Sequence, residues 1–251
     1  RAISYLQASL TLRRQSGDRF GIARTLRELG FATYRLGLSL ETENAWQQAY
    51  ELQRALGDQQ GIADSIFFLG ILAMTRDDWQ KAKPLVEQTM AIATNMNNSF
   101  YRKWANRAME IVVCMEQTMP TPASFAAPSA ITASRAALFH MLFSPTVGSQ
   151  GYQYDLRQAL ALAITDTDRA ICLPFVALAL VGSGELQQGA MLLGLAFRYP
   201  TVAAGWVSRL PEIVALQQQL QNELSPAEFS SAWAEGQKLE LVATIDRLAS
   251  T

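Results

Sequence analysis

Apolar residues recur every three or four positions along most of this chain, which is the spacing of residues on one face of an α-helix. In residues 21–36, for example, Ile22, Leu26 and Leu29 share a face. No stretch alternates apolar and polar residues with β-branched side chains, as a half-buried strand does. The pattern predicts an all-α protein of about 13 helices. The predicted helices cover residues 1–15, 21–36, 39–55, 60–75, 79–93, 99–117, 130–143, 154–165, 168–181, 185–197, 211–222, 225–235 and 238–249.

A longer pattern repeats with a spacing of 40 residues. The repeated segments are Gly17-Asp18 with Gly57-Asp58, Gly21-Ile22-Ala23 with Gly61-Ile62-Ala63, and Leu29-Gly30 with Leu69-Gly70. A period in this range is typical of stacked repeats, in which each unit buries its apolar side against its neighbours. The fold class that we expect is therefore an all-α superhelical array of antiparallel helix pairs, an α-solenoid. A third, degenerate unit is expected to begin at Asn97-Asn98.

The first helix of the chain matches the second helix of such a repeat. Ala2, Leu6 and Ser9 fall in the register of the helix predicted at 39–55. Because no first helix precedes them in the chain, we expect the chain to be a piece of a longer protein.

Three prolines, Pro120, Pro122 and Pro128, interrupt the helical pattern and predict a linker at 119–129. This linker would separate helical repeats at 1–118 from a second helical sub-array at 130–251, which ends in capping helices. The pattern leaves open whether the second sub-array continues the same superhelix or folds back as a separate bundle.

The repeats resemble tetratricopeptide repeats in their longer variety, with Gly30 and Gly70 at the close contact of each helix pair and Ala49 and Ala82 at the second small position. Two helices approach closely only where the contact residues are small. The first repeat, with its Gly-Asp, Gly-Ile-Ala and Leu-Gly segments, also resembles the C-terminal helical regions of bacterial signalling ATPases and of LuxR-type and related transcriptional regulators.

Two later segments are similar to segments that recur in those regulators. They are Glu185-Leu186-x-x-Gly189-Ala190-x-Leu192-Leu193-Gly194 and Phe229-x-x-Ala232-Trp233-Ala234-Glu235-Gly236. The resemblance implies a helical array that senses an inducer or partner, and an upstream NTPase or DNA-binding module that acts as the switch in the full-length protein.

The composition is that of a folded chain, with 49% hydrophobic and 17% charged residues. A net charge of -1 gives no electrostatic reason to expect nucleic acid or an anionic membrane as a partner. Cys114 and Cys172 have neither disulfide nor metal-ligand spacing. The longest apolar run contains Pro174 and is too short to span a membrane. These features lead us to expect a cytoplasmic protein.

The residues that usually carry chemistry are sparse. His140 is the only histidine, and no acid or cysteine close to it in sequence completes a metal site or triad. Cys114 lies between Val113 and Met115 and is expected to pack in the core rather than to act as a nucleophile. The chain has no Gly-rich phosphate loop. We therefore expect no catalysis, no cofactor and no metal.

The best candidate for a binding surface is the inner face of the first helices of the repeats. The candidate residues are Arg24, Arg27, Phe31, Tyr34, Arg35, Asp64, Phe67, Ile71 and Met74. Arginine and aromatic side chains together are typical of recognition surfaces, although solvated arginines and core aromatics would give the same pattern. The expected partner is a protein segment or a small effector held in a concave groove. The alternative is a structural role in which the array self-associates into a homo-oligomer.

Overall fold

The computed structural model describes residues 1–118, 133–143 and 150–250. These residues form fourteen α-helices and one short 3-10 helix, Trp206–Arg209, and they contain no strand. The predicted all-α class is confirmed. The linker predicted at 119–129 and the start of the helix predicted at 130 lie outside the described residues. The α-helices are α1 Ala2–Ser16, α2 Arg19–Arg35, α3 Ser39–Leu56, α4 Gln59–Thr75, α5 Trp79–Asn95, α6 Ser99–Thr118, α7 Ala133–Leu142, α8 Gln150–Ala161, α9 Asp166–Gly182, α10 Leu186–Phe197, α11 Pro200–Ala203, α12 Pro211–Glu223, α13 Pro226–Gly236 and α14 Leu241–Ser250.

The described residues belong to two compact units. The first unit holds residues 1–112 and 133–136, and the second holds residues 113–118, 137–143 and 150–250. The divisions fall inside α6 and α7. The boundaries predicted from the prolines stay a prediction.

The helices of the first unit are separated by junctions of one kind, which recur every 20 residues. At each junction one residue has a positive φ, and the N–H of the next residue donates to a carbonyl five positions back. This is the hydrogen-bond pattern that closes a helix when its last carbonyls need partners. Glycine adopts a positive φ without steric cost, and the short side chains of Asp and Asn tolerate it. The positive-φ residues are Gly17 at 70°, Gly37 at 73°, Gly57 at 70°, Asp77 at 60° and Asn97 at 50°.

Most junctions also start the next helix. Asp18 and Asp58 accept hydrogen bonds from the backbone N–H groups of Gly21 and Gly61, at 2.9 and 3.0 Å. Asp78 and Asn98 cap α5 and α6 in the same way. An oxygen at this position satisfies a donor that the first turn leaves unpaired. Each 40-residue repeat of the sequence therefore contains two helix junctions of the same kind.

Within the first unit each of the first four helices packs on the next one in the chain. Gly30 is essential to the contact between α2 and α3, because a Cβ there would overlap the indole of Trp46. A Cβ on Gly70 would lie 3.4 Å from Val86 of α5, which is close to ordinary contact. The two glycines occupy equivalent positions in the repeat, but only at Gly30 would a Cβ overlap a neighbouring side chain.

In the second unit α10 packs against both α9 and α13. The contact with α13 is made through glycines on both helices. A Cβ on Gly194 would overlap the backbone carbonyl of Trp233, and one on Gly236 would overlap that of Met191. The two C-terminal segments singled out by their resemblance to known regulators are thus the two sides of one close helix crossing.

Candidate functional site on the first helices of the repeats

The structure divides the nine candidate residues by accessibility. Arg24 and Arg35 are exposed, and Arg27 and Phe31 are partly buried. The other five are buried: Tyr34, Asp64, Phe67, Ile71 and Met74.

Phe67, Ile71 and Met74, the apolar members of the buried group, pack in the core rather than on an exposed inner face as the sequence led us to expect. α4 is apolar around most of its circumference, and such a helix is covered on all sides. Phe67, for instance, lies against Trp104 of α6, with 5.6 Å between the ring centroids. Tyr34 is also internal, and its hydroxyl is 2.8 Å from Thr75 Oγ1.

A row of polar side chains joins the first helices of three successive repeats. Arg27 Nη1 on α2 donates to Asp64 Oδ2 on α4 at 2.7 Å, and the hydroxyl of Tyr101 on α6 donates to Asp64 Oδ1. Each of these partners is 37 positions from the next. Asp64 is therefore the centre of a row that ties α2, α4 and α6 together. Tyr101 was not among the predicted residues, and nothing local in its sequence indicates this role.

Burial and charge shift the pKa values of all three groups. Burial raises the pKa of the Asp64 carboxyl, and the hydrogen bond from Tyr101 and the charge of Arg27 offset this only in part. Burial also raises the pKa of Tyr101, and the hydrogen bond to Asp64 adds to that effect. Burial by itself would lower the pKa of Arg27, but Glu28 and Asp64 outweigh it and raise the pKa. Arg27 and Tyr101 therefore stay protonated as donors to Asp64.

A polar cleft of about 470 Å³ lies beside this row, between the N-terminal halves of α2 and α4. Two of its arginines are held by acids of the cleft, since Arg13 pairs with Asp18 at 2.9 Å and Arg27 with Asp64 at 2.7 Å. Arg24 is exposed and forms no ion pair with any described residue. The charged and polar residues that line the cleft are Arg13, Asp18, Arg24, Arg27, Gln53, Asp58, Gln60 and Asp64.

The cleft contains residues that the sequence-based prediction missed. Asp18 and Asp58 were recognised as turn residues, yet they also contribute charge to the cleft. Phe20 lies at the cleft with 60% of its surface exposed. The repeat indicates part of this lining, because Asp18, Gly21, Asp58 and Gly61 are repeated residues of the two equivalent junctions and of the helix starts that follow them.

The only histidine does have a partner, which the sequence did not indicate. His140 Nδ1 on α7 is 2.6 Å from Asp155 Oδ2 on α8, and the carboxylate is buried while half of the ring is exposed. The other ring nitrogen has no hydrogen-bond partner among the described residues. Nowhere in the described residues do three or more His, Cys, Asp or Glu side chains come together as a metal site.

No single helix of the described chain combines the length and the apolar character needed to cross a membrane. One pair bent by 103°, Leu186–Phe197 and Pro200–Arg209, meets those criteria only when the two parts are taken together. Comparison of the chain with protein-family models, with curated proteins and with solved structures finds no match.

Proposed function

We propose that this chain is a non-catalytic binding module, built from stacked helical repeats, in a larger cytoplasmic regulator of signalling or transcription. Its ligand is a protein segment or a small effector that binds in the polar cleft between α2 and α4. The observation that carries the proposal is the exposed Arg24, which has no ion pair among the described residues and stands in a cleft whose other two arginines are paired.

The surroundings of Arg24 favour recognition because they are already ordered. α2 is capped by Asp18, packed on α1 and α3, and joined to α4 by Arg27. A side chain on such a helix binds with a smaller loss of entropy than one on a loop. Arginine is enriched in binding surfaces because its guanidinium holds carboxylates through two parallel hydrogen bonds. The exposed ring of Phe20 adds an apolar contact, so a segment with an acidic residue beside an apolar one fits the cleft.

The proposed mechanism is a population shift. A ligand changes the equilibrium between two arrangements of the full protein only by as much as its affinities for the two arrangements differ. The resemblance to bacterial regulators favours an NTPase or DNA-binding module as the part that responds.

We expect the substitution Arg24→Glu to weaken ligand binding about tenfold or more, because it replaces the donor with a repelling charge. Peptides selected from a random displayed library on the intact chain should be enriched in acidic residues. Their affinities for the parent chain and the variant, measured by isothermal titration, check this expectation. Arg24 is a cleaner target than Arg27, which also holds α2 to α4.

The matched control is Arg14→Glu, which makes the same charge change on an exposed arginine outside the cleft. It should leave the affinity within about twofold, since Arg14 does not line the cleft and exposed charges are screened by salt. Equal losses in both variants, or selected peptides without acidic enrichment, would remove the cleft as the binding site.

Self-association is a second candidate function, and exposed apolar residues on the first two helices favour it. Tyr5 and Leu12 on α1 are 74% and 65% exposed, and Phe20 on α2 is nearby in sequence. Large apolar side chains grouped on a surface are typical of contacts between proteins.

Light scattering over a dilution series separates the two functions. The binding-module proposal predicts one monomeric mass at every concentration. Self-association would be favoured instead by a dimer that dissociates when Leu12 is replaced by serine. The same replacement of the exposed Leu162, which follows α8, should leave that dimer intact. Leu162 is a suitable control because it is an exposed leucine of the second unit.

A further inference from the structure

The second unit contains a groove that the proposed function does not use. It lies between α8, α9 and α14, and its volume is about 450 Å³, within the range of small-molecule sites. The C-terminal half of α9 and the residue after it contribute about half of the lining, while α8 and α14 contribute the rest. The larger aliphatic residues of its lining are Leu156, Leu160, Val176, Leu178, Leu180 and Leu248.

Among the residues that the structure describes, the groove carries a single charged side chain. Arg157 of α8 lines it, and no acidic residue does. Arg157 has no ion pair or hydrogen bond from its side chain to any described residue, whereas Arg169 on α9 is paired with Asp166 at 3.1 Å. Its guanidinium is thus available as a donor beside an aliphatic surface, and its charge is complementary to an anion.

The remaining polar groups argue against a peptide as the occupant. Besides Arg157, the described part of the lining offers only the side chains of Gln153 and Ser183. The Ser183 hydroxyl donates to the carbonyl of Ala179 in its own helix, at 3.1 Å. A peptide backbone would bury polar groups here with few partners, which is unfavourable. A ligand with an aliphatic body and one anionic end leaves no polar group unsatisfied.

We propose that this groove binds a small aliphatic carboxylic acid, with its chain along α9 and its carboxylate on Arg157. Burial of the chain against the leucines supplies most of the affinity. The arginine selects the acid over neutral molecules of the same shape. This site lies wholly in the second unit, so the proposal is independent of the cleft between α2 and α4.

Decanoate, used below the concentration at which it forms micelles, is the probe for this site. Isothermal titration into the 251-residue chain should show saturable binding. Arg157→Gln should weaken the binding of decanoate about five- to tenfold, the loss expected for one charge-assisted contact at a partly exposed site. The neutral decanamide should bind the parent chain more weakly than decanoate by a similar factor and should be insensitive to the substitution.

A second variant tests the apolar part of the groove without touching its charge. Gly182 lines the groove, and a Cβ there would meet no atom within 4 Å, so Gly182→Leu places an aliphatic side chain where the ligand should lie. We expect this variant to abolish decanoate binding while its circular dichroism stays that of the parent.

Arg169→Gln is the control, because Arg169 is an arginine of the same unit outside the groove. It should leave decanoate binding unchanged. The proposal is overturned if decanoate shows no saturable binding, if Arg157→Gln and Arg169→Gln have equal effects, or if Gly182→Leu still binds.

Discussion

Replacing Trp46 with alanine should lower the free energy of unfolding of the first unit by about 3–5 kcal/mol, the usual cost of removing a fully buried tryptophan. Only 1% of the Trp46 side chain is exposed. Its ring lies between Phe31, Tyr34 and Phe68, with centroids 5.5–5.6 Å away. Phe31 and Tyr34 belong to α2 and Phe68 to α4, so one ring from α3 holds the neighbouring helices of two repeats together.

The loss should be large because the site has little freedom to collapse. Gly30 lies directly against the indole, and Trp46 Nε1 donates to the carbonyl of Arg27 at 3.2 Å. Removing the ring leaves a cavity between helices that are held apart by their other contacts. It also removes the donor to a carbonyl next to the Arg27–Asp64 pair. We therefore expect lower stability together with a loosened cleft.

Hydrogen exchange measured peptide by peptide is the right test, because a chain with two compact units need not unfold in one step. Protection should fall in α2 to α5 and should be retained in α9 to α13. Trp79→Ala is the matched control, since Trp79 is a partly exposed tryptophan at the start of α5. Its effect should be less than half as large. Equal effects of the two substitutions would show that Trp46 is not a central packing residue.

Gly236→Ala should destabilise the second unit by about 2–3 kcal/mol, at the upper end of the usual cost of overpacking. The added methyl group would overlap the backbone carbonyl oxygen of Met191. An overlapped side chain could rotate away from the new methyl group, but a backbone carbonyl within a helix moves only with the helix. α10 and α13 must therefore separate, and Gly194 against Trp233 constrains them a short distance along the same crossing.

Gly182→Ala provides the control for this prediction. Gly182 is also a glycine at the end of a helix of the second unit, and a Cβ there meets open space. Alanine should leave the stability unchanged or raise it by up to about 1 kcal/mol, as expected from helix propensity alone. Hydrogen exchange in the peptides of α10 and α13 compares the two variants directly, because it reports on the second unit alone. Similar protection in the two variants would show that α10 and α13 do not need the glycine contact.

The helix junctions of the first unit were predictable because their physics is local. Gly57 ends α3 and Asp58 begins α4 through hydrogen bonds that reach five residues at most. The residues that make these hydrogen bonds are close together in the sequence, so the Gly-Asp pair repeated after 40 residues indicates the junctions correctly. The short α11 and the 3-10 helix that follows it were not predicted, since four-residue elements are too short to show a period.

The candidate site was predicted only in part, and Phe67 shows why. Its position on the helix matches that of an inward-facing residue, but the pattern of one helix does not say how many neighbours cover it. α4 packs on α3 and α5 and meets α6 through Phe67 and Trp104, so the predicted binding face is largely core. The absence of polar residues over much of α4 was the available signal, because a helix that faces water usually carries them.

The sequence by itself determined that the chain is helical, where most helices begin and end, and which turns repeat. Those properties depend on hydrogen bonds and side chains within one or two helical turns. Only the tertiary structure decided that Asp64 meets both Arg27 and Tyr101, that Gly236 faces Met191, and that Arg157 stands alone in an aliphatic groove. These contacts join residues far apart in the chain, and they depend on how helices pack, which no local period encodes.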